Sequence, residues 1–137
     1  MTESKFLSLL HDYIYSYMTV SRNASPNTIR GYKSSFRLLI KYMSEYNFIM
    51  ADEIQFTDLD FTTLSDFFDW LVNERKVSSS TRNNRLAALV SFSEYAQNRD
   101  FDAASVFRTS VLRVGIRKIE KKPRPYFTRE EMMILLN

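Results

Sequence analysis

The chain has 137 residues, of which 45% are apolar and 26% are charged, with two glycines, three prolines and no cysteine. This length suits one domain with a single core, and without cysteine there is no disulfide framework and no thiolate metal site. A single histidine leaves most His-based catalysis unsupported, and no apolar stretch is long enough to cross a bilayer. Because glycine and proline are scarce, helices are favoured over tight hairpins, and we expect a cytoplasmic, all-α protein.

The net charge of +3 is unevenly distributed along the chain. The net charge is +3 over residues 1–50, −7 over 51–74 and +8 over 75–125. A chain that separates basic from acidic segments in this way can present a basic surface to a polyanion. The same distribution also fits an ordinary solvated surface, so the charge pattern alone leaves both interpretations open.

Two amphipathic helices are predicted in the first third of the chain. Apolar residues at steps of three and four predict a first helix over residues 4–19. Ser25 followed by Pro26 predicts the N-terminus of a second helix, which continues to about Tyr46. The second helix has an apolar face and, well rotated from it, a basic ridge. The ridge consists of Arg30, Ser34, Arg37 and Lys41, with Lys33 at its edge.

Gly31 lies inside the second helix, where glycine is about 1 kcal/mol less favourable than alanine. Two explanations fit a glycine at such a position: the close approach of a nucleic-acid backbone, or tight packing against another helix. The sequence does not discriminate between them.

The acidic middle of the chain is predicted to begin with a structured connection over residues 51–61, in which Ile54, Phe56 and Leu59 are apolar anchors. Thr63 followed by Asp66 resembles a capping box, which predicts that a third helix begins at Thr63 and ends near Arg75.

A fourth helix is predicted from the serines at 78–80 to about Asn98. Its first turns contain Arg82 and Arg85. Arginine near a helix N-terminus opposes the helix dipole, whereas a phosphate at that position would be bound by free backbone N–H groups and by the arginines together. This conflict indicates an anion site, although an unfavourable surface that the fold tolerates is the alternative.

The C-terminal part is predicted to contain a short fifth helix over residues 103–112, a basic extended segment and the start of another helix. The basic segment includes Lys118, Lys121 and Lys122 together with Pro123 and Pro125, and it is suited to lie along a phosphate backbone. Thr128 and Glu131 then form a capping box, which predicts a helix that begins at Thr128.

Two stretches carry a resemblance to a known family: residues 25–32, with Phe36 and Leu39 after them, and residues 79–89, with Phe92 after them. In this order and spacing they resemble the SAM-like core-binding domain of tyrosine recombinases, the phage-integrase family. Residues 127–133 resemble the entry into that family's catalytic domain. The resemblance implies a bundle of four main helices with a short fifth helix and a truncated C-terminal helix. It also implies a core-binding domain over 1–112, a basic linker over 113–126 and the first catalytic-domain helix over 127–137.

In that family, the second and fourth helices of this domain face the major groove of duplex DNA. The resemblance therefore implies that double-stranded DNA at a recombination site is the partner of this chain. With the basic segment included, the expected DNA-binding residues are Thr28, Arg30, Gly31, Ser34, Arg37, Ser80, Thr81, Arg82, Asn84, Arg85, Lys118, Lys121 and Lys122.

The family's catalytic residues, including a tyrosine nucleophile, lie in the C-terminal domain, so the resemblance implies that this chain contains none of them. Tyr126 precedes the first helix of that domain and does not match the nucleophile. The parent protein would be a tyrosine-type site-specific recombinase encoded by a bacterium, phage or mobile element. It would form a phosphotyrosyl link to DNA without cofactor or metal, and would self-associate on DNA as the full-length protein.

Two other classes of protein remain open for this sequence. A protein–protein interaction module would expose an aromatic docking face, for which Tyr13, Tyr17, Phe67, Phe68 and Trp70 are the candidates. A helical DNA-binding regulator would need two helices joined by a turn of three or four residues. The two candidate recognition helices begin about fifty residues apart, which argues against the regulator.

Overall fold

The computed structural model of the protein describes residues 4–118, and this part of the chain is helical and contains no strand. The all-α prediction is therefore confirmed. None of the described helices is both long and apolar enough to span a membrane. The predicted helix at Thr128 lies outside the described residues. The five α-helices are α1 (Lys5–Asp12), α2 (Pro26–Asn47), α3 (Phe61–Asn73), α4 (Ser79–Arg99) and α5 (Phe101–Val114).

The first predicted helix is present, but its second half is wider than an α-helix. From Tyr13 to Ser21 the chain continues α1 as a π-helix, in which each N–H bonds the carbonyl five residues earlier. The hydroxyl of Thr19 follows the same spacing and donates to the carbonyl of Ile14 at 2.9 Å. Tyr13, Ile14 and Met18 of this segment are buried.

Phe92, in the middle of α4, lies at the centre of an aromatic core. Its ring meets Phe36 of α2 edge to face at 5.4 Å between centroids and Phe6 of α1 at 5.8 Å. Phe107 of α5 lies 6.0 Å from it. Such edge-to-face pairs stabilise a core beyond the apolar area that they bury.

The fifth helix is 14 residues long, longer than α3, so the expectation that it is short is wrong.

Residues 51–60 form the structured connection that the sequence predicted. Two single-turn 3₁₀ helices, Ala51–Glu53 and Phe56–Asp58, carry the chain across the bundle, while Ile54, Phe56 and Leu59 are buried in the core.

The predicted start of α3 is wrong. Asp60, not Thr63, is the N-cap, and its carboxylate accepts a hydrogen bond from the N–H of Thr63 at 2.8 Å. The helix therefore begins at Phe61. Aspartate caps helices as well as threonine does, and the capping-box pattern alone does not choose between two nearby candidates.

The aromatic docking face expected of a protein–protein interaction module is absent from the described part of the chain. Tyr13, Phe67, Phe68 and Trp70 are buried in the core, and Tyr17 is half-buried. Tyr17 stacks on Tyr13 at 5.6 Å between ring centroids. Burial also raises the pKa of Tyr13 to about 12, with a smaller opposing effect from its hydrogen bond to Ser91.

Candidate functional site

The helices α2 and α4 begin with the same local structure. The hydroxyl of Ser25 accepts a hydrogen bond from the N–H of Thr28 at 3.2 Å, and that of Ser78 accepts one from the N–H of Thr81 at 3.1 Å. In each cap the serine hydroxyl also lies within hydrogen-bonding distance of the threonine hydroxyl, at 2.9 Å and 3.1 Å respectively. A serine N-cap thus fixes a threonine in the first turn of both helices.

These two helix starts flank an open cleft with a volume of about 580 Å³. Its wall combines hydroxyl, amide and guanidinium groups, and no carboxylate is among the described residues that form it. Nor do residues 4–118 group three His, Asp or Glu side chains closely enough to hold a metal ion. The cleft is lined by Asn27, Thr28, Gly31, Tyr32 and Ser35 from α2 and by Thr81, Asn84, Arg85 and Ala87 from α4.

Arg85 crosses the cleft from α4 to α2. Its Nη1 donates to the hydroxyl of Ser35 at 3.2 Å, and that hydroxyl donates to the carbonyl oxygen of Gly31 at 3.0 Å. The Nε of Arg85 is buried without a hydrogen-bond partner among the described residues. Burial, and secondarily the charge of Arg75, lowers the pKa of Arg85 below its usual range. A cation held in this way is available to an anion that enters the cleft.

Gly31 faces open space in the cleft. A Cβ atom placed on it would meet nothing within 4 Å, so packing of α2 against another described helix does not require glycine at this position. Of the two explanations that the sequence left open, tight helix packing is thus excluded within residues 4–118. Close approach of a partner from outside the described residues is the explanation that stays consistent with the structure.

Arg82 points away from the cleft and is 9% exposed. Its Nη1 donates to the carbonyl oxygen of Gly115 at 2.8 Å and to Oδ1 of Asn83 at 3.0 Å, and its guanidinium lies 5.1 Å from the ring centre of Phe68. Burial, and secondarily the charge of Arg117, lowers its pKa below the usual range. The side chain of Arg82 thus holds the backbone that follows α5.

Asn83 holds the same backbone segment two residues further along the chain, at Arg117. Its Nδ2 donates to the carbonyl oxygen of Arg117 at 2.8 Å, and its Oδ1 accepts from the N–H of Arg117 at 3.0 Å. We call Arg82 and Asn83 together the anchor. The anchor fixes residues 115–117 against the first turn of α4, on the side that faces away from the cleft.

The structure places the expected DNA-binding residues in several different environments. The cleft brings together Thr28, Gly31, Thr81, Asn84 and Arg85. Outside it, Ser80 and Arg30 are exposed near the two helix starts, and Ser34 is half-buried. Arg30 donates to Oδ1 of Asn27, a residue of the cleft wall, at 3.3 Å.

The remaining expected residues lie further from the cleft or beyond the described chain. Arg37 lines a second groove on the α1 side of α2. Lys118 is exposed at the end of the described part, and Lys121 and Lys122 lie outside it.

Sequence reasoning missed Tyr32 and Ala87 of the cleft wall, and it missed three residues that make polar contacts in this region: Asn27, Ser35 and Asn83. Asn27 and Ser35 are four residues before and after Gly31, so an i, i+4 search around this glycine along one helix face would have found them. Asn83 offered no such signal, because its partner is the backbone of Arg117, which is 34 residues away in sequence.

The phage integrase SAM-like domain family matches residues 9–109 of the chain. Among curated proteins, the chain is 33% identical over 88 residues to a Sinorhizobium fredii protein named integrase/recombinase y4rC, an alignment that covers 64% of this chain and 26% of that protein. It is 28% identical over 137 residues to integrase/recombinase y4rD of the same species, covering 99% of this chain and 48% of the relative.

A third relative is the tyrosine recombinase XerC of Caldanaerobacter subterraneus, which is 25% identical over 150 aligned residues that cover 100% of this chain and 41% of the relative. The chain therefore spans at most about half the length of these relatives. No solved structure matches it.

Proposed function

The chain belongs to the phage integrase SAM-like domain family, and on this premise we propose that it binds duplex DNA as the clamp domain of a site-specific tyrosine recombinase. The cleft between the starts of α2 and α4 is the observation that carries this proposal. The cutting and joining of DNA strands would belong to the longer recombinase, as the names of the relatives suggest.

The chemistry of the cleft wall suits a DNA surface. Thr28, Thr81 and Asn84 offer hydroxyl and amide groups, which hydrogen-bond either to base edges or to phosphate oxygens. Both helices also point their N-termini towards this region, and free N–H groups with the positive end of the helix dipole favour phosphate. The wall therefore combines groups for positioning on the DNA backbone with groups able to read bases.

The position of Gly31 supports a large partner over a small one. The cleft is open, and the absence of a side chain on α2 at this point lets another surface approach the helix backbone. Arg85 is linked to the same backbone through Ser35, whose hydroxyl accepts from Arg85 and donates to the carbonyl oxygen of Gly31. We propose that a DNA phosphate displaces or shares this contact and so pairs with the guanidinium of Arg85.

The proposal is tested by measuring how tightly the chain binds a short fluorescently labelled duplex at several salt concentrations between about 50 mM and about 200 mM. The expected result is a linear fall of log K with log salt. Arg85→Met is expected to lower the affinity about tenfold and to reduce the salt slope by about one, because one phosphate contact is lost.

Arg99→Met is the matched control, since Arg99 lies at the other end of α4 and the substitution removes the same charge. We expect its affinity to stay within about threefold of the unsubstituted chain, as for a surface charge distant from the contact. Absence of binding at the lower salt concentration, or equal losses for the two variants, would refute the assignment of the cleft. Circular dichroism checks that both variants keep their helix content.

A further inference from the structure

The C-terminus of α2 holds a residue that the isolated fold does not explain. Phe48 follows the last residue of α2 in the left-handed conformation, with φ 57° and ψ 33°. Its N–H and that of Ile49 both bond to the carbonyl of Met43, an arrangement in which glycine is the usual residue because a side chain is strained there. Phe48 is 86% exposed, so no burial within the described chain compensates for the strain.

Phe48 is also unlike the other non-glycine residues with positive φ in the described part of the chain. These are Asn23 and Lys76, which are polar side chains in solvent. Phe48 is instead a large apolar residue, and a second exposed apolar residue, Met50, follows two positions later in the chain and is 57% exposed. We call Phe48 and Met50 the Phe48 patch. Exposed apolar side chains held at a strained backbone position are typical of contact sites.

Exposed acidic residues lie close to the Phe48 patch in sequence, and we call them its acidic rim. They are Asp52 and Glu53 in the following 3₁₀ turn and Glu45 in the last turns of α2, whose carboxylate lies 3.8 Å from Nζ of Lys41. A surface that is complementary to the patch would therefore be an apolar hollow with basic side chains around it.

Such a hollow exists on the same chain. A groove of about 220 Å³ lies between α1 and the first half of α2. Leu10, Ile14, Phe36 and Ile40 form its apolar part, and Lys33 and Arg37 contribute basic side chains. Lys33 is held at the groove by the ring of Tyr15, with 4.5 Å between Nζ and the ring centre. No carboxylate is among the residues that line the groove within the described part of the chain.

We propose that the chain self-associates by inserting Phe48 of one copy into the α1–α2 groove of a second copy. The acidic rim of the patch then faces Lys33 and Arg37 of the groove, so the contact is complementary in both polarity and charge. The α1–α2 groove and the cleft lie on different sides of α2, which separates self-association from the proposed DNA contact. The proposal therefore stands or falls independently of the proposed function.

The first test is sedimentation velocity of the chain over a range of micromolar concentrations at low salt, without DNA. We expect a reversible, concentration-dependent dimer. Phe48→Asn is expected to weaken dimerisation at least tenfold and, because asparagine tolerates the left-handed conformation, to raise the monomer's Tm by a few degrees. If Phe48 acted only in folding of the monomer, Phe48→Asn would not weaken dimerisation while it raised the Tm.

Phe101→Asn is the matched control, because Phe101 is also an exposed aromatic residue, at 64%, in ordinary helical conformation. It is expected to leave the dimer unchanged. A chain that is monomeric at every concentration overturns the proposal and assigns the patch to a different partner. An equal loss of dimer in Phe48→Asn and Phe101→Asn also overturns it, since it indicates non-specific association.

A mixing experiment then tests whether the groove receives the patch. The double variant Lys33→Glu/Arg37→Glu keeps Phe48 but reverses the charge of the groove, and Phe48→Asn keeps the groove but loses the patch. Each is expected to be monomeric alone, and an equimolar mixture is expected to form a mixed dimer through one intact contact. A mixture that stays monomeric would show that the patch contacts some other surface, such as a second Phe48 patch, and the proposal would be wrong.

Discussion

The first two turns of α4 have two sides that differ in what they contact, although their residues alternate along one short stretch. Thr81, Asn84 and Arg85 line the open cleft, whereas Arg82 and Asn83 hold residues 115–117. Arg82 and Arg85 are three residues apart and share the same chemistry. One is enclosed by its own chain, and the other is half-buried at the edge of an open space.

This difference shows that an arginine near a helix N-terminus is not by itself an anion site. Arg82 satisfies its charge with a carbonyl oxygen, an amide oxygen and an aromatic face. Within residues 4–118, Arg85 has a single neutral partner, the hydroxyl of Ser35, together with a buried Nε. Substitutions on the Arg82 side of α4 should therefore lower the stability of the fold, whereas substitutions on the Arg85 side should lower DNA affinity.

The largest expected effect is that of Arg82→Met. The free energy of unfolding should fall by about 2–3 kcal/mol, because the carbonyl oxygen of Gly115 loses a charged donor and the contact with Phe68 changes. Urea denaturation followed by circular dichroism at 222 nm measures it. Arg30→Met, at an exposed position on α2, is the control and should change stability by less than about 0.5 kcal/mol. A stable Arg82→Met variant with strongly reduced DNA affinity would reverse the roles assigned to the two sides.

Gly31→Ala sharpens the assignment of the cleft side. The free energy of unfolding should rise by about 1 kcal/mol, because alanine favours the helix and its Cβ meets no atom within 4 Å. Affinity for duplex DNA should nevertheless fall, because the added methyl group occupies the space through which the DNA approaches. Ser8→Ala, at an exposed position on α1, controls for added helix propensity and should leave affinity unchanged. Unchanged affinity in Gly31→Ala would show that DNA does not approach α2 at this point.

The smallest effect compares two adjacent asparagines on opposite sides of α4. Asn83→Ala should lower stability by only about 0.5 kcal/mol, since its contacts are near solvent, but trypsin should cleave after Arg117 several times faster because the anchor is weakened. Asn84→Ala should leave the cleavage rate unchanged and lower DNA affinity. The time course of cleavage, read by mass spectrometry, distinguishes the two variants. Equal cleavage rates would indicate that Arg82 alone holds residues 115–117.

Local signals in the sequence were sufficient for much of the helical architecture. Ser25 with Pro26 and the serine run at 78–80 mark helix starts because capping is a short-range hydrogen bond. The N-cap of the third helix was placed three residues late because Asp60 and Thr63 are both competent caps, and only the geometry of the chain selects one. The π-helical widening before Ser21 was also missed, because the period of an apolar stripe assumes α-helical spacing.

For the candidate site, the sequence by itself determined the residue types and the two helices that carry them, because charge and helical periodicity depend on neighbours a few residues apart. It singled out Gly31 and the arginines of α4 as positions that helix propensity and the helix dipole do not favour. Only the tertiary structure decided that Arg85 faces the cleft while Arg82 is enclosed by Gly115 and Phe68. The physical reason is that burial and hydrogen-bond partners depend on segments distant in sequence, here more than 30 residues along the chain in the case of Gly115.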